Sequence, residues 1–333
     1  MDITGYNYLI DKAEADHQRV PSRVMMQTES YPRDAFSNWT ASTDHIYIIG
    51  DFVWTAIDYL GESGIGRYWY EGDPVGEHWE RPLYPWHAAY CGDIDLTGRL
   101  KPIGHYRNML WNDNEKLYMA VREPHGYQGK GKITAGMWAV HPTWESWNWE
   151  GWEGRNIDVE VCSRYSSVRL YLNDQLIGEK PTDRTTEFKA VFTIPYTAGT
   201  LKATGMENGV EKETAILTTT SEPYAIRMTA DAQTIKAGCQ DMAFVKVEVV
   251  DRQGRLVPNA SNLISFSVKG AGTIQAIGNA DITDTTPFTS HSWKAWKGEL
   301  LVAVRSGDKA GTITLNATAK GLRGCSQRIK VTK

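Results

Sequence analysis

Three residues of this chain, Glu29, Trp54 and Tyr8, have types and spacing that could do chemistry together. Glu29 follows a short apolar run at 24–26, Trp54 closes a second run at 46–54, and Tyr8 closes a short segment before both. A carboxylate can act as a nucleophile or as an acid/base group. Because parallel strands joined by helices present their carboxyl ends at one edge, we expect the three side chains to line one cup.

Such a cup suits the cleavage of glycosidic bonds. Retaining glycoside hydrolysis uses two carboxyl groups about 5 Å apart, one as nucleophile and one as acid/base. Glu29 would be the nucleophile, Tyr8 its hydrogen-bonding neighbour, and Trp54 the platform for the apolar face of a sugar ring. A Glu after an apolar run is also compatible with a surface or helix-capping role, so at this point both interpretations stay open.

The elements that would position these residues occupy the first 122 residues. Strand patterns at 2–8, 24–28 and 46–54 alternate with a helical composition at 9–19, and an amphipathic helix follows at 100–111. The connection at 55–86 is rich in Gly, Tyr and Trp and predicts a functional loop or lid. Since three strands cannot close a barrel of eight, we expect the C-terminal part of a (β/α)8 TIM barrel and a chain that begins inside a domain.

The rest of the chain predicts two β-sandwiches. From Lys116 the apolar period changes to two, and short strands follow to about residue 205. A linker at 221–223 precedes regularly spaced strands with an immunoglobulin-like pattern. The predicted domains are 1–122 for the barrel part, 123–220 for a β-sandwich and 221–333 for an immunoglobulin-like sandwich.

Composition excludes several function classes. The net charge of −4 shows no basic face for nucleic acid, and no apolar run reaches the length of a membrane span. No signal peptide is visible. The four cysteines form no CxxC pair, which argues against zinc, and Cys239 and Cys325 could either pair or stay free. Asp93 and Asp95 could bind a cation or have a loop or helix-capping role; we expect no cofactor.

Tryptophan is concentrated in the first half, with eleven of the thirteen residues between Trp39 and Trp152. Five of them form a cluster that could be a sugar-binding platform or could pack at a domain junction: Trp138, Trp144, Trp147, Trp149 and Trp152.

Longer stretches carry a resemblance to a known family. The sequence GDFVWTAIDYLGE at 50–62, preceded by QTES at 27–30, resembles the last two barrel strands of a family 2 glycoside hydrolase. It is most similar to the β-galactosidases of Bacteroides-type gut bacteria. The segment 86–98 matches the stretch after the final strand, and 144–151 and 170–173 resemble the sandwich that follows the barrel in these enzymes.

The resemblance implies roles for particular residues. Glu29 matches the nucleophile at the end of the seventh strand, Trp54 the aromatic residue after the eighth, and Tyr8 the tyrosine of the sixth. Asp58 and Glu62 follow Trp54 on the rim, where they would contact substrate or belong to a rim loop. The family's acid/base residue follows an Asn in the fourth strand, and no Asn-Glu pair precedes Tyr8.

The resemblance therefore implies part of a retaining exo-glycosidase that acts on terminal β-galactosides and is inactive as an isolated chain. Its partners would be a β-galactoside oligosaccharide or glycan and the N-terminal part of the same enzyme, with no nucleic acid and no membrane. A periplasmic or extracellular location is implied as well. The alternatives are a non-catalytic carbohydrate-binding or assembly module, or a β-glucuronidase-like or β-mannosidase-like specificity.

Overall fold

The computed structural model describes residues 2–77 and 83–333, which form two compact units, Met1–Thr219 and Thr220–Lys333. Both are built mainly from β-strands. Residues 78–82 of the predicted loop at 55–86 lie outside the described residues. No helix in the described part of the chain is long and apolar enough to cross a membrane.

The first unit begins with a parallel three-stranded sheet in the order β1-β2-β3. Helices connect the strands, as parallel neighbours require. Tyr6, Met25 and Ile48 pack with Ala13 between the sheet and the helices. The elements run in the order β1 (Ile3–Asn7), α1 (Ala13–Arg19), β2 (Val24–Ser30), α2 (Ala35–Asp44) and β3 (Ile48–Val53).

The three strands lie where the sequence pattern predicted them, but α2 was missed. Its sequence AFSNWTASTD has four Ser and Thr residues and a weak apolar stripe, so it carries no clear helical period. For the predicted barrel part, the described residues contain a three-stranded parallel sheet with helices connecting its strands. These residues do not contain a closed barrel.

Short antiparallel strand pairs occur in the connection after β3. Tyr59 pairs with Ala89, and Trp69 pairs with Thr134 in a later segment of the chain. The elements of this region are β4 (Tyr59–Leu60), β5 (Tyr68–Tyr70), β6 (Ala88–Ala89) and α3 (Pro102–Trp111).

A β-sandwich completes the first unit. One sheet has the order β13-β10-β7-β9 and the other β12-β11-β14-β15. The strands are β7 (Leu117–Arg122), β8 (Ile133–Ala135, paired with β5), β9 (Thr143–Trp144), β10 (Asn156–Ser163), β11 (Ser167–Leu172), β12 (Gln175–Pro181), β13 (Lys189–Pro195), β14 (Thr200–Glu207) and β15 (Val210–Thr218). Since β7 pairs with β10, the strand Leu117–Arg122 lies in a sheet of the sandwich, on the N-terminal side of the boundary predicted at residue 122.

The second unit is another sandwich, with sheets β16-β18-β22-β20 and β17-β24-β23-β19-β21. Val245, Val302 and Leu315 are fully buried in its core. Its strands are β16 (Ala225–Ala230), β17 (Thr234–Lys236), β18 (Met242–Val250), β19 (Leu263–Gly270), β20 (Gly272–Gly278), β21 (Ser292–Lys294), β22 (Glu299–Ser306), β23 (Gly311–Ala319) and β24 (Cys325–Thr332). Of the two alternatives for Cys239 and Cys325, the structure has the free thiols.

Candidate active site

The candidate site lies at the carboxyl-terminal edge of the parallel sheet. The Tyr8 backbone N–H donates to the Glu29 carbonyl at 2.8 Å, and the Trp54 N–H donates to the Ser30 carbonyl at 2.9 Å. These backbone bonds extend β1 and β3 by one residue each against β2, in which Glu29 is the last residue but one. The structure therefore places Tyr8, Glu29 and Trp54 side by side at the strand ends, as the sequence analysis expected.

Tyr8 connects the candidate nucleophile to a residue from a distant part of the chain. The Trp138 indole N–H donates to the Tyr8 hydroxyl oxygen at 2.9 Å. Burial raises the pKa of Tyr8, the bond from Trp138 opposes that rise, and the neighbouring Glu29 carboxylate adds to it. The phenol therefore stays protonated beside Glu29.

The backbone at Tyr8 is unusual. Its φ of 60° lies in the left-handed region, which a residue with a Cβ rarely adopts. Such strain is retained where surrounding contacts over-determine it, often at functional sites. Here the contacts are two neighbouring rings: Tyr31 at 4.3 Å and Trp138 at 5.6 Å between centroids.

Trp138 is the site residue that sequence reasoning missed. It lies between β8 and β9, 130 positions after Tyr8, and was grouped with four other tryptophans as a platform or packing cluster. No local pattern separates it from them, because its position depends on how the segment after β7 folds back over the sheet edge.

Trp54 is held by a chain of hydrogen bonds on the rim. Its indole N–H donates to the Tyr59 hydroxyl oxygen at 3.0 Å, and that hydroxyl donates to the Glu62 carboxylate. Trp54 is half-buried against Ile65 and Cys91, so part of its ring stays accessible. Glu62 is exposed, and the contact that the structure gives it is to Tyr59.

The substrate-contact role predicted for Asp58 is corrected by its burial. The Asp58 side chain is 0% exposed, its carboxylate bonds the Lys101 ammonium at 2.9 and 3.1 Å, and it accepts from the Gly92 N–H at 2.8 Å. Burial raises the pKa of Asp58 to about 6, against the opposing effects of Lys101 and Gly92. Asp58 therefore anchors the rim from inside and cannot reach a sugar.

A second buried ion-pair network fixes β3 against α3. The Arg107 guanidinium contacts the Asp93 carboxylate at 2.6 Å and the Asp51 carboxylate at 3.3 Å. Burial raises the pKa of both carboxyl groups, and Arg107 counteracts the rise. Asp95 accepts from the Thr97 N–H at 2.8 Å and the Arg99 N–H at 3.1 Å. These contacts give Asp95 the loop role that was one of its alternatives.

For three of the five clustered tryptophans, the platform predicted as an alternative is contradicted by burial. Trp147, Trp149 and Trp152 are 1%, 3% and 9% exposed, and they belong to the core of the first sandwich. Their N–H groups donate to the carbonyls of Thr197, Ser146 and Asn156. They therefore form neither a sugar-binding surface nor the predicted junction with the parallel sheet.

The sheet edge thus brings together a half-buried carboxylate, a protonated phenol and a half-buried indole. A retaining mechanism requires two carboxyl groups, and Glu29 could be one of them.

Comparisons with known proteins point to one family. Residues 226–328 match the model of glycoside hydrolase family 2 C-terminal domain 5, and residues 154–213 match a domain of unknown function. The β-galactosidase BoGH2A of Bacteroides ovatus is 30% identical over 284 residues, which are 84% of this chain and 28% of that protein. A β-glucuronidase of Formosa agariphila is 32% identical over 55% of this chain and 19% of that protein.

A solved structure is similar to this chain over its whole length. The crystal structure of a glycosyl hydrolase family 2 member from Bacteroides cellulosilyticus superposes with a TM-score of 0.91 at 33% identity. The match covers 100% of this chain and 42% of that one. The chain thus spans less than half the length of these relatives.

Proposed function

The chain belongs to glycoside hydrolase family 2, and we propose that the site around Glu29 is the nucleophile half of a retaining exo-β-glycosidase centre. The observation that carries the proposal is the placement of Tyr8, Glu29 and Trp54 at one edge of the parallel sheet by the backbone bonds of Tyr8 to Glu29 and of Trp54 to Ser30. In this proposal β1, β2 and β3 are the last three strands of a (β/α)8 barrel, whose carboxyl-terminal edge holds the active site.

The reaction divides between this chain and polypeptide outside it. The Glu29 carboxylate attacks the anomeric carbon, so that a bond forms between them while the glycosidic carbon–oxygen bond breaks. The leaving oxygen takes a proton from a second carboxyl group, which the proposal places beyond this chain. Water then displaces Glu29 and gives its proton to that second carboxylate. Tyr8 orients Glu29, and Trp54 packs against the sugar.

The proposal includes the partner that completes the site. The parallel sheet presents two edge strands, β1 and β3, and the large apolar side chains Ile49 and Phe52 of β3 are 55% and 59% exposed. Unpaired edges and exposed apolar side chains favour burial against further strands. The remaining barrel strands of the same enzyme would supply that cover, and the isolated chain would then be inactive.

For the sugar we propose a terminal β-galactoside. The support is the identity to BoGH2A, which extends over 84% of this chain. The β-glucuronidases among the relatives favour a uronide as the second candidate. Initial rates on matched nitrophenyl β-galactoside and β-glucuronide, measured on the assembled enzyme, separate the two.

The nucleophile assignment is tested by a pair of matched substitutions. In the assembled enzyme, Glu29→Gln should lower kcat roughly 10⁴-fold or more, because the amide cannot form the glycosyl-enzyme. Glu62→Gln removes a carboxylate from the same rim and should lower kcat less than about tenfold, since it acts only through Tyr59. Equal losses in the two variants would remove Glu29 from the proposed role.

A further inference from the structure

A cavity of about 410 Å³ lies within the first unit, next to the candidate active site. Its volume lies in the range of small-molecule sites, roughly 300–1,000 Å³. It shares Trp138 with the aromatic cluster around Tyr8, and neither Glu29, Trp54 nor Tyr8 lines it. Its wall combines aromatic and cationic side chains, chiefly Tyr90, Lys101, Tyr106, Arg122, Trp144 and Lys189.

Most of the charges in this wall are already paired. Arg122 contacts Glu160 at 2.5 and 2.9 Å, and Lys101 contacts the buried Asp58. Arg33, at the edge of the cavity, lies 3.8 Å from the Asp34 carboxylate. These three cations are therefore balanced by three carboxylates.

Lys189 is the cation that remains. Its ammonium lies 3.8 Å from the centre of the Tyr106 ring, and within residues 2–77 and 83–333 it forms no ion pair. The Tyr106 hydroxyl donates to the Glu187 carbonyl at 2.8 Å, so the ring beneath Lys189 is fixed. Burial lowers the pKa of His141, another lining residue, which is therefore uncharged near neutral pH. The cavity has a surplus of one positive charge.

An unpaired ammonium in a partly desolvated wall favours an anion, and aromatic walls favour a ring. We propose that this cavity binds a small organic monoanion built on a ring, of the sugar-acid class, with its carboxylate on Lys189 and its ring among the aromatic side chains. The site is independent of catalysis at Glu29, and its existence does not rest on the proposed function.

The test is calorimetric titration of the full chain with glucuronate. The wild type should bind saturably, and glucose, which has the same ring without the carboxylate, should bind at least about tenfold more weakly. Lys189→Met keeps an apolar stem on Tyr106 and should weaken glucuronate binding at least about tenfold. Lys189→Arg keeps the charge and should stay within a few-fold of the wild type. Thermal unfolding of each variant verifies that the sandwich is intact.

A Trp54→Ala variant separates this cavity from the cup around Glu29. Glucuronate bound in the cavity is insensitive to Trp54, whereas glucuronate bound in the cup is weakened by that change. The proposal is overturned by the absence of saturable binding, by equal affinities of the wild type and Lys189→Met, by equal affinities for glucose and glucuronate, or by loss of binding in Trp54→Ala.

Discussion

At the scale of single residues, Tyr8 links Trp138 to Glu29: its hydroxyl accepts a hydrogen bond from the Trp138 indole and lies beside the Glu29 carboxylate. The common position of Tyr8, Glu29 and Trp54 at one sheet edge could be predicted from the sequence, because each closes a strand pattern and parallel strands end at one edge. The position of Trp138 could not be predicted in that way. It reaches Tyr8 from the segment between β8 and β9, and four more tryptophans follow it within the next 14 positions.

The bond from Trp138 to Tyr8 can be tested by Trp138→Phe in the assembled enzyme. Phenylalanine keeps ring packing on Tyr8 and Tyr31 but removes the N–H donor, which is worth about 0.5–1.5 kcal/mol. We expect kcat to fall about two- to tenfold with little change in KM, because Tyr8 then orients Glu29 less well.

The matched control is Trp144→Phe. Trp144 donates its N–H to Glu123, away from Tyr8, so its loss should leave kcat near the wild-type value. Initial-rate kinetics on both variants decide the question. Equal kcat values for the two would show that the bond from Trp138 to Tyr8 has no positioning role.

At the scale of elements, buried ion pairs connect the rim of the site to α3. Asp58 after β3 binds Lys101, the residue just before α3, and Asp51 of β3 binds Arg107 within it. From the sequence, Asp58 was expected to face substrate. Sequence position alone does not show whether a carboxylate on the rim points inward or outward. The cation that pairs with Asp58 is Lys101, which lies 43 positions away in the chain.

Lys101→Met should destabilise the protein in a pH-dependent manner. The pKa of Asp58 is raised to about 6 in the folded chain, above its value of about 3.9 when unfolded, so this carboxyl group costs stability as the pH rises through that interval. Without Lys101 the charged form is buried unpaired, which costs about 3–5 kcal/mol. We expect most of this loss at pH 8 and much less at pH 5, where Asp58 binds a proton.

Arg99→Met provides the comparison for Lys101→Met. Arg99 pairs with Glu145 near the surface at 3.0 Å, an interaction worth less than about 1 kcal/mol. Urea unfolding of both variants at the two pH values gives the free energies. A loss in Lys101→Met that is the same at pH 5 and pH 8 would show that Asp58 does not titrate as described.

At the scale of the whole molecule, strand patterning predicted much of the architecture. The apolar period of two after Lys116 and the linker near residue 222 predicted two sandwiches, because a strand in a sandwich buries alternate side chains. Two features were not predicted. The helix α2 has only a weak apolar stripe. The predicted boundary at 122 separates β7 from its sandwich, because the five buried residues of β7 show no alternation when both of its faces are covered.

The tryptophans of the first sandwich are expected to govern its stability. Trp147→Ala should destabilise the first unit by about 3–5 kcal/mol, because a fully buried indole leaves a cavity in the core. Trp111→Ala is the surface control, since that side chain is 41% exposed, and we expect a change within about 1 kcal/mol. Chemical denaturation measures both. Retained stability in Trp147→Ala would show that this indole does not support the core of the first sandwich.

The central claim is that Glu29 forms the glycosyl-enzyme, and covalent trapping tests it most directly. A 2-deoxy-2-fluoro-galactoside with a good leaving group should inactivate the assembled enzyme and add one fluoro-sugar to the peptide that contains Glu29, as seen by mass spectrometry. The Glu29→Gln protein should take up no label. A label on Glu62, or on any carboxylate other than Glu29, would contradict the account.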